Sequence, residues 1–112
     1  MLQQATQTLV ELIKETPTYS NYINEKNRVH ENPFIVSLLG EYNRLDKKLT
    51  SSRIAQIEPS GDELERFQQL AVLLHTSDDS KDFMLAKIAV QVQVEKIIKS
   101  LIKELNLLEF DM

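Results

Sequence analysis

The sequence is poor in the residues that usually cross-link or interrupt a fold. It contains no cysteine, only two glycines and only three prolines in 112 residues. Without cysteine, the chain itself has no disulfide bond, thiolate zinc site, thiol nucleophile or cysteine-ligated iron–sulfur cluster. With so little glycine and proline, a β-sandwich or barrel with many turns is disfavoured. Long segments with few breaks favour helices instead.

The charge balance also limits the classes of partner. Seventeen acidic residues outnumber 13 basic residues, which gives a net charge of −4. Nucleic acids and anionic membranes attract positively charged protein surfaces, so extensive binding of this acidic chain to either is not expected. No apolar run approaches the roughly 18 residues of a membrane span, and the first residues show no signal-peptide pattern. We expect a soluble, cytoplasmic protein.

The length and composition are sufficient for one folded unit. A chain of 112 residues with 42% hydrophobic content can bury one core, and 27% charged residues keep its surface soluble. We therefore predict a single helical domain over residues 1–112.

Capping residues locate the first helix boundaries. Apolar residues at helical spacing predict a first helix over about residues 2–15. Thr16 before Pro17, and Asn32 before Pro33, each combine a capping side chain with a proline in the first helical turn. A second and a third helix are predicted to begin at these two pairs.

Two further helices follow a loop that contains proline and glycine. Ser60 and Glu63 have the spacing of a capping box and predict the start of the fourth helix. The fifth helix is predicted over about residues 79–108. Within it, residues 89–94 alternate with period two as a strand would, but helical periodicity continues on both sides. The predicted fold is an all-α antiparallel bundle of about five helices, with long third and fifth helices.

Apolar positions at helical spacing are expected to face inward. Three aromatic residues, Tyr19, Tyr22 and Phe34, are predicted core anchors rather than contact residues. On the fifth helix the predicted inward seam is Phe83, Val90, Val94, Ile97, Leu101 and Leu108. The apolar faces of the third and fifth helices are wider than one small bundle covers, so we expect a homodimer or another subunit to cover the remainder.

The sequence offers little for metal chemistry. His30 and His75 are far apart, and neither has a second ligand at the spacing of a known zinc motif. The acidic group Asp78, Asp79 and Asp82 lacks the spaced oxygen ligands of a calcium loop and is typical of a helix start. No metal site, cofactor or catalytic residue is predicted.

Two other functions remain open at this stage. A helical mutase of the chorismate mutase type would need arginines that project into the bundle, but the arginines stand among polar neighbours: Arg28, Arg44, Arg53 and Arg66.

Direct nucleic-acid binding would use clustered cations, such as Lys47, Lys48 and Arg53, or Lys96, Lys99 and Lys103. These cations are not interleaved with aromatic residues, so the sequence offers no stacking surface for single-stranded RNA. The pair Glu95 and Lys99 has the spacing of an ordinary surface ion pair.

Two segments resemble the YlbF/YmcA family of small helical regulators. Residues 15–45, ETPTYSNYINEKNRVHENPFIVSLLGEYNRL, resemble its short tyrosine-containing helix, the break before proline and the long helix that follows. Residues 59–105, which begin PSGDELERF, resemble its helix, polar break and long last helix. The resemblance covers nearly the whole chain and rests on helix order, breaks and apolar positions.

The resemblance implies a regulatory adaptor from a Gram-positive bacterium that forms homodimers or mixed complexes. Members of the family regulate competence, sporulation and biofilm formation, and some act with an endoribonuclease complex that processes mRNA. The best-known members share iron–sulfur clusters through cysteines, which this chain lacks. The alternative is a self-associating structural module without regulatory output. No binding residue is assigned from the sequence.

Overall fold

The computed structural model describes residues 1–106, which form five α-helices. These are α1 (Leu2–Lys14), α2 (Pro17–His30), α3 (Pro33–Ile54), α4 (Gly61–Thr76) and α5 (Lys81–Glu104). No strand occurs in the described part of the chain. The all-α prediction is confirmed, and the third and fifth helices are the longest, with 22 and 24 residues.

Three side chains cap the helices where the sequence predicts them. The hydroxyl of Thr16 accepts a hydrogen bond from the backbone N–H of Tyr19 at 3.2 Å. Asn32 Oδ1 accepts a hydrogen bond from the N–H of Ile35 at 3.3 Å. Ser60 Oγ accepts a hydrogen bond from the backbone N–H of the residue three positions later, at 3.1 Å. Each bond satisfies one of the N–H groups that a helix start leaves without a partner. The local sequence therefore determines these starts.

The end of α3 is closed by a residue in an unfavourable backbone conformation. The N–H of Ile57 donates to the carbonyl of Ser52 at 2.8 Å, and the N–H of Gln56 donates to the carbonyl of Arg53 at 3.2 Å. This is the hydrogen-bond pattern of a Schellman motif, which places one residue in the left-handed region. Gln56 occupies that position with φ of 59°, where glycine is the usual residue.

The fifth helix is continuous through the segment that alternates like a strand. Residues 89–94 lie within α5, so the helix prediction is confirmed and the strand alternative is wrong. The helix ends at Glu104, before the predicted end at Leu108. Asn106 adopts φ of 56° and breaks the helical path. Leu108 itself lies outside the described residues.

A buried serine joins the end of α4 to the start of α5. Ser80 is completely buried, and its hydroxyl donates to the carbonyl oxygen of Leu74 at 2.7 Å. The last carbonyls of a helix have no partner within it, and a buried hydroxyl must also be satisfied. This single bond satisfies both groups. The fifth helix consequently begins at Lys81, two residues after its predicted start.

Residues 24–85 form one compact unit that contains most of the core. Within it, α3 and α4 pack in antiparallel orientation, because Glu41 pairs with Arg66 while Lys48, further along α3, pairs with Glu63, earlier on α4. The rings of Tyr42 and Phe67 stack between these helices with centroids 4.9 Å apart. The buried apolar side chains of this unit are Val29, Ile35, Leu45, Leu70, Leu74, Phe83 and Met84.

A second compact unit is formed by residues 1–23 together with residues 86–106. It is less buried: α1 has no buried residue, and Ala86 is the one buried apolar residue among its described positions. Tyr19 and Tyr22 are half-buried in this unit, with ring centroids 6.0 Å apart. The expectation that residues 1–112 fold as a single domain stays a prediction.

Candidate protein-interaction surfaces

Four exposed apolar side chains follow one another in regular order on the second half of α5. Val94, Ile98, Leu101 and Leu105 are exposed by 38%, 48%, 54% and 65%, respectively. We call these four residues the α5 stripe. Two of them, Val94 and Leu101, belong to the seam that the sequence predicts to face inward, and for them that prediction is wrong.

The α5 stripe has the spacing of a helix-packing seam. Its members follow one another at intervals of four, three and four residues, which keeps them on one side of a helix. At a rise of about 1.5 Å per residue the stripe extends over about 16 Å, or three turns. Half-buried Val90 and Ile97 lie on a neighbouring face of the same helix. The apolar surface of α5 is therefore wider than the part that its own chain covers.

The first helix also exposes part of its apolar side. Leu9 and Ile13 are half-buried, while Leu2 and Leu12 are exposed although they lie on the same face at helical spacing. Glutamine and threonine, rather than charged residues, occupy much of the rest of the helix. This composition gives α1 an apolar side without a strong charge pattern beside it.

In the unit of residues 24–85, a groove lies at the end where α3 meets the loop before α4. It encloses about 510 Å³ and is lined partly by apolar side chains, including Leu49, Ile57 and Leu64. Charged groups of both signs also line it, among them Asp46 and Arg53. The groove is open and carries no concentration of one charge. It can accept an apolar group, but its chemistry does not single out one ligand.

Ion pairs brace α3 against α4. The guanidinium of Arg66 donates two hydrogen bonds to the carboxylate of Glu41, both 2.8 Å long, and this pairing lowers the pKa of Glu41. Lys48 pairs with Glu63 and lowers the pKa of that carboxyl group. These charged side chains lie at the surface and are already engaged by their own chain. Their arrangement is structural.

The arginines required by the mutase alternative are not collected in a buried pocket. All four are exposed, at positions Arg28, Arg44, Arg53 and Arg66. Arg28 pairs with Glu25 of the same helix at 2.8 Å, and Arg66 pairs across to Glu41. Two of the four are thus neutralised by carboxylates of the chain.

The histidines and the acidic group lie at helix ends. His30 is the last residue of α2, and His75 is next to the last residue of α4; both are exposed. Asp78 pairs with Lys81 at 2.9 Å, across the start of α5. Within residues 1–106, no three histidine or acidic side chains are close enough together to hold a metal ion.

The cations in the second half of α5 lie apart from the α5 stripe. Lys96, Lys99 and Lys103 are all exposed, and their positions place them on the opposite side of the helix. The expected pair of Glu95 and Lys99 is not among the ion pairs of the described residues.

None of the helices in this part of the chain has the length and apolar character that a bilayer crossing requires.

Two further errors of the sequence reasoning concern burial. Phe34, a predicted core anchor, is 69% exposed. Consecutive helix positions differ by about 100° in direction, so the inward direction at this turn is taken by buried Ile35. Sequence reasoning also missed the burial of Met84 and Ala86. The 3.6-residue period alone could have shown that Phe34 and Ile35 cannot both face inward.

Comparison with known proteins gives one family and one related structure. The model of the family described as control of competence regulator ComK, YlbF/YmcA, matches residues 2–106. A crystal structure of Bacillus subtilis RicA in complex with RicF is similar in fold, with a TM-score of 0.55 and 20% sequence identity. The similar region covers 89% of each chain. No curated protein is significantly similar in sequence.

Proposed function

Because this chain belongs to the YlbF/YmcA family of competence regulators, we propose that it is a non-enzymatic regulatory adaptor that acts by binding other proteins. The observation that carries this proposal is the α5 stripe, an ordered apolar surface that the chain leaves exposed. Contiguous apolar surface on a small protein is typical of a site that another molecule covers. The regular spacing of its four members distinguishes the stripe from leucines that are exposed singly.

Partners of the same family are the first class that we propose. RicA, which has a similar fold, crystallised in complex with RicF. By analogy we propose that this chain forms homodimers or mixed complexes with related helical proteins in the cytoplasm. We further propose that such complexes act on RNA processing through an endoribonuclease complex, as the family resemblance implies, and that this chain does not itself bind nucleic acid.

The decisive experiment compares two matched variants in the source organism. Leu101→Asp introduces a charge into the α5 stripe, and Val72→Asp introduces the same charge at an exposed apolar position of α4. A strain without the protein is complemented with each variant, and transformation frequency and co-purifying proteins are measured. We expect Leu101→Asp to lose both the regulatory effect and its partners, while Val72→Asp retains them.

The alternative, a self-associating module without regulatory output, makes a different prediction. Its supporting observation is the same exposed stripe, which a second copy could also cover. In that case the purified protein would form a homo-oligomer across a dilution series, measured by light scattering, and loss of the protein would leave competence unchanged. Such a pair of results would refute the adaptor proposal.

A further inference from the structure

We infer that the α5 stripe docks an amphipathic helix of another protein whose apolar seam is flanked by lysine or arginine. The inference rests on the proposed function and specifies the chemistry of the partner. It follows from the charges that stand beside the stripe, because these charges determine which helix can lie along it.

The two acidic residues of this part of α5 flank the stripe on opposite sides. Glu95 follows Val94 by one residue, and Glu104 precedes Leu105 by one residue. At about 100° per residue, each lies about a quarter turn from the stripe, one on each side. Both glutamates are exposed, and neither forms an ion pair with another residue of the described chain. They are available to a partner.

These positions correspond to the flanking positions of a coiled-coil seam, where charges select the partner helix. The four flanking positions of the stripe hold Glu95, Ile97, Ile102 and Glu104. None of them is basic. A helix with cations at its own flanking positions would pair with both glutamates and cover the isoleucines with the aliphatic parts of its long side chains.

A second copy of the stripe fits these charges poorly. In either direction of pairing, flanking residues of one helix meet flanking residues of the other. In an antiparallel pair each glutamate would face an isoleucine of the other copy; in a parallel pair Ile97 would face Ile102, and neither glutamate would meet a cation. The cations of this half of the helix, Lys96, Lys99 and Lys103, point away from the seam. The charge pattern thus favours a different, basic partner over self-pairing at this site.

Two synthetic helical peptides test the inference directly. Both carry the same leucine seam; one has lysines and the other has glutamates at all flanking positions. Binding of each labelled peptide to the full chain is measured by fluorescence anisotropy at low and at moderate salt. We expect the lysine peptide to bind at least about tenfold more tightly, with a preference that falls as salt screens the charges.

Charge-reversal variants separate a local effect from an effect of net charge. The double variant Glu95→Lys/Glu104→Lys is expected to reverse the preference, so that the glutamate peptide binds more tightly. The control Glu31→Lys/Glu58→Lys changes the net charge equally at two exposed acidic residues outside the helices. It should retain the preference for the lysine peptide. Circular dichroism of each variant verifies that the helices are intact.

Several outcomes would overturn the inference. Equal binding of the two peptides, or an equal reversal by the control variant, would show that the flanking glutamates do not select the partner. If neither peptide binds and the protein is a dimer that Ile98→Asp dissociates, a second copy covers the stripe. If neither peptide binds a monomeric protein, the stripe is not a helix-docking site. The cellular comparison of Leu101→Asp with Val72→Asp tests the proposed function separately.

Discussion

Two adjacent leucines of α4 provide a sharp test of how the core is stabilised. Leu74 is completely buried, whereas Leu73, its neighbour in the same helix, is 44% exposed. The two residues share side-chain chemistry and helix propensity. Replacing each by alanine therefore isolates the effect of burial. We expect Leu74→Ala to destabilise the fold severely and Leu73→Ala to destabilise it slightly.

The magnitude follows from the atoms removed and the space left behind. Leucine to alanine removes the equivalent of about three methylene groups, each of which contributes about 0.8 kcal/mol when fully buried. A cavity at a completely enclosed site adds to this loss, so Leu74→Ala should cost about 3 kcal/mol. At position 73 part of the side chain is already in water and no closed cavity forms. The cost there should be about 1 kcal/mol or less.

Urea unfolding followed by far-ultraviolet circular dichroism measures both values. With a slope of about 1.5 kcal/mol per molar urea, the midpoint should fall by about 2 M for Leu74→Ala and by about 0.5 M for Leu73→Ala. A loss of 3 kcal/mol is a large fraction of the stability of a small protein. Equal shifts for the two variants, or a larger shift for Leu73→Ala, would refute the assignment of the core.

Three further predictions use the same assay. Gly40 lies inside α3, and a methyl group added there would have no other part of the chain within 4 Å. Gly40→Ala should therefore stabilise the protein by about 1 kcal/mol through the higher helix propensity of alanine. A loss of stability would show that the glycine is needed for close packing. Gln56→Gly should raise the urea midpoint by relieving the positive φ at the end of α3, and a lowered midpoint would contradict this account. The hydrogen bond from Arg66 lowers the pKa of Glu41 in the folded state. The stabilisation from this ion pair is therefore fully present above the unfolded pKa of Glu41, near 4.5, and is lost as the pH falls through the lower pKa of the folded state. Urea midpoints of Glu41→Gln should therefore fall below the wild type at pH 7 and approach it at about pH 3; an equal difference at both pH values would exclude this origin.

The helix starts could be predicted from the sequence because their causes are local. A capping side chain and the N–H that it accepts from are three residues apart, so Thr16, Asn32 and Ser60 act within one turn. The scarcity of glycine and proline is also a property of the local sequence, and it predicts few breaks between helices. The all-α class, the order of the helices and the family resemblance all depend on such short-range features.

The depth of each apolar side chain, in contrast, was decided by tertiary structure. Apolar residues occupy more than one face of α5, and periodicity alone cannot select the face that packs inward. Val94 and Leu101 lie outside, whereas Met84 and Ala86 lie inside. The pair of Glu41 and Arg66 is likewise separated by 25 residues and exists because α3 and α4 pack side by side.

The candidate binding surface follows from this difference. Composition and helical spacing are local properties, and they predict that α5 is long and apolar over a wide arc. The same spacing places Glu95 and Glu104 on either side of the stripe. Which part of that arc stays exposed depends on the helices that pack against it, and this is visible only in the folded chain. The α5 stripe is one exposed part of that arc, and Leu85, Ile88 and Val92 are exposed on another face of the same helix.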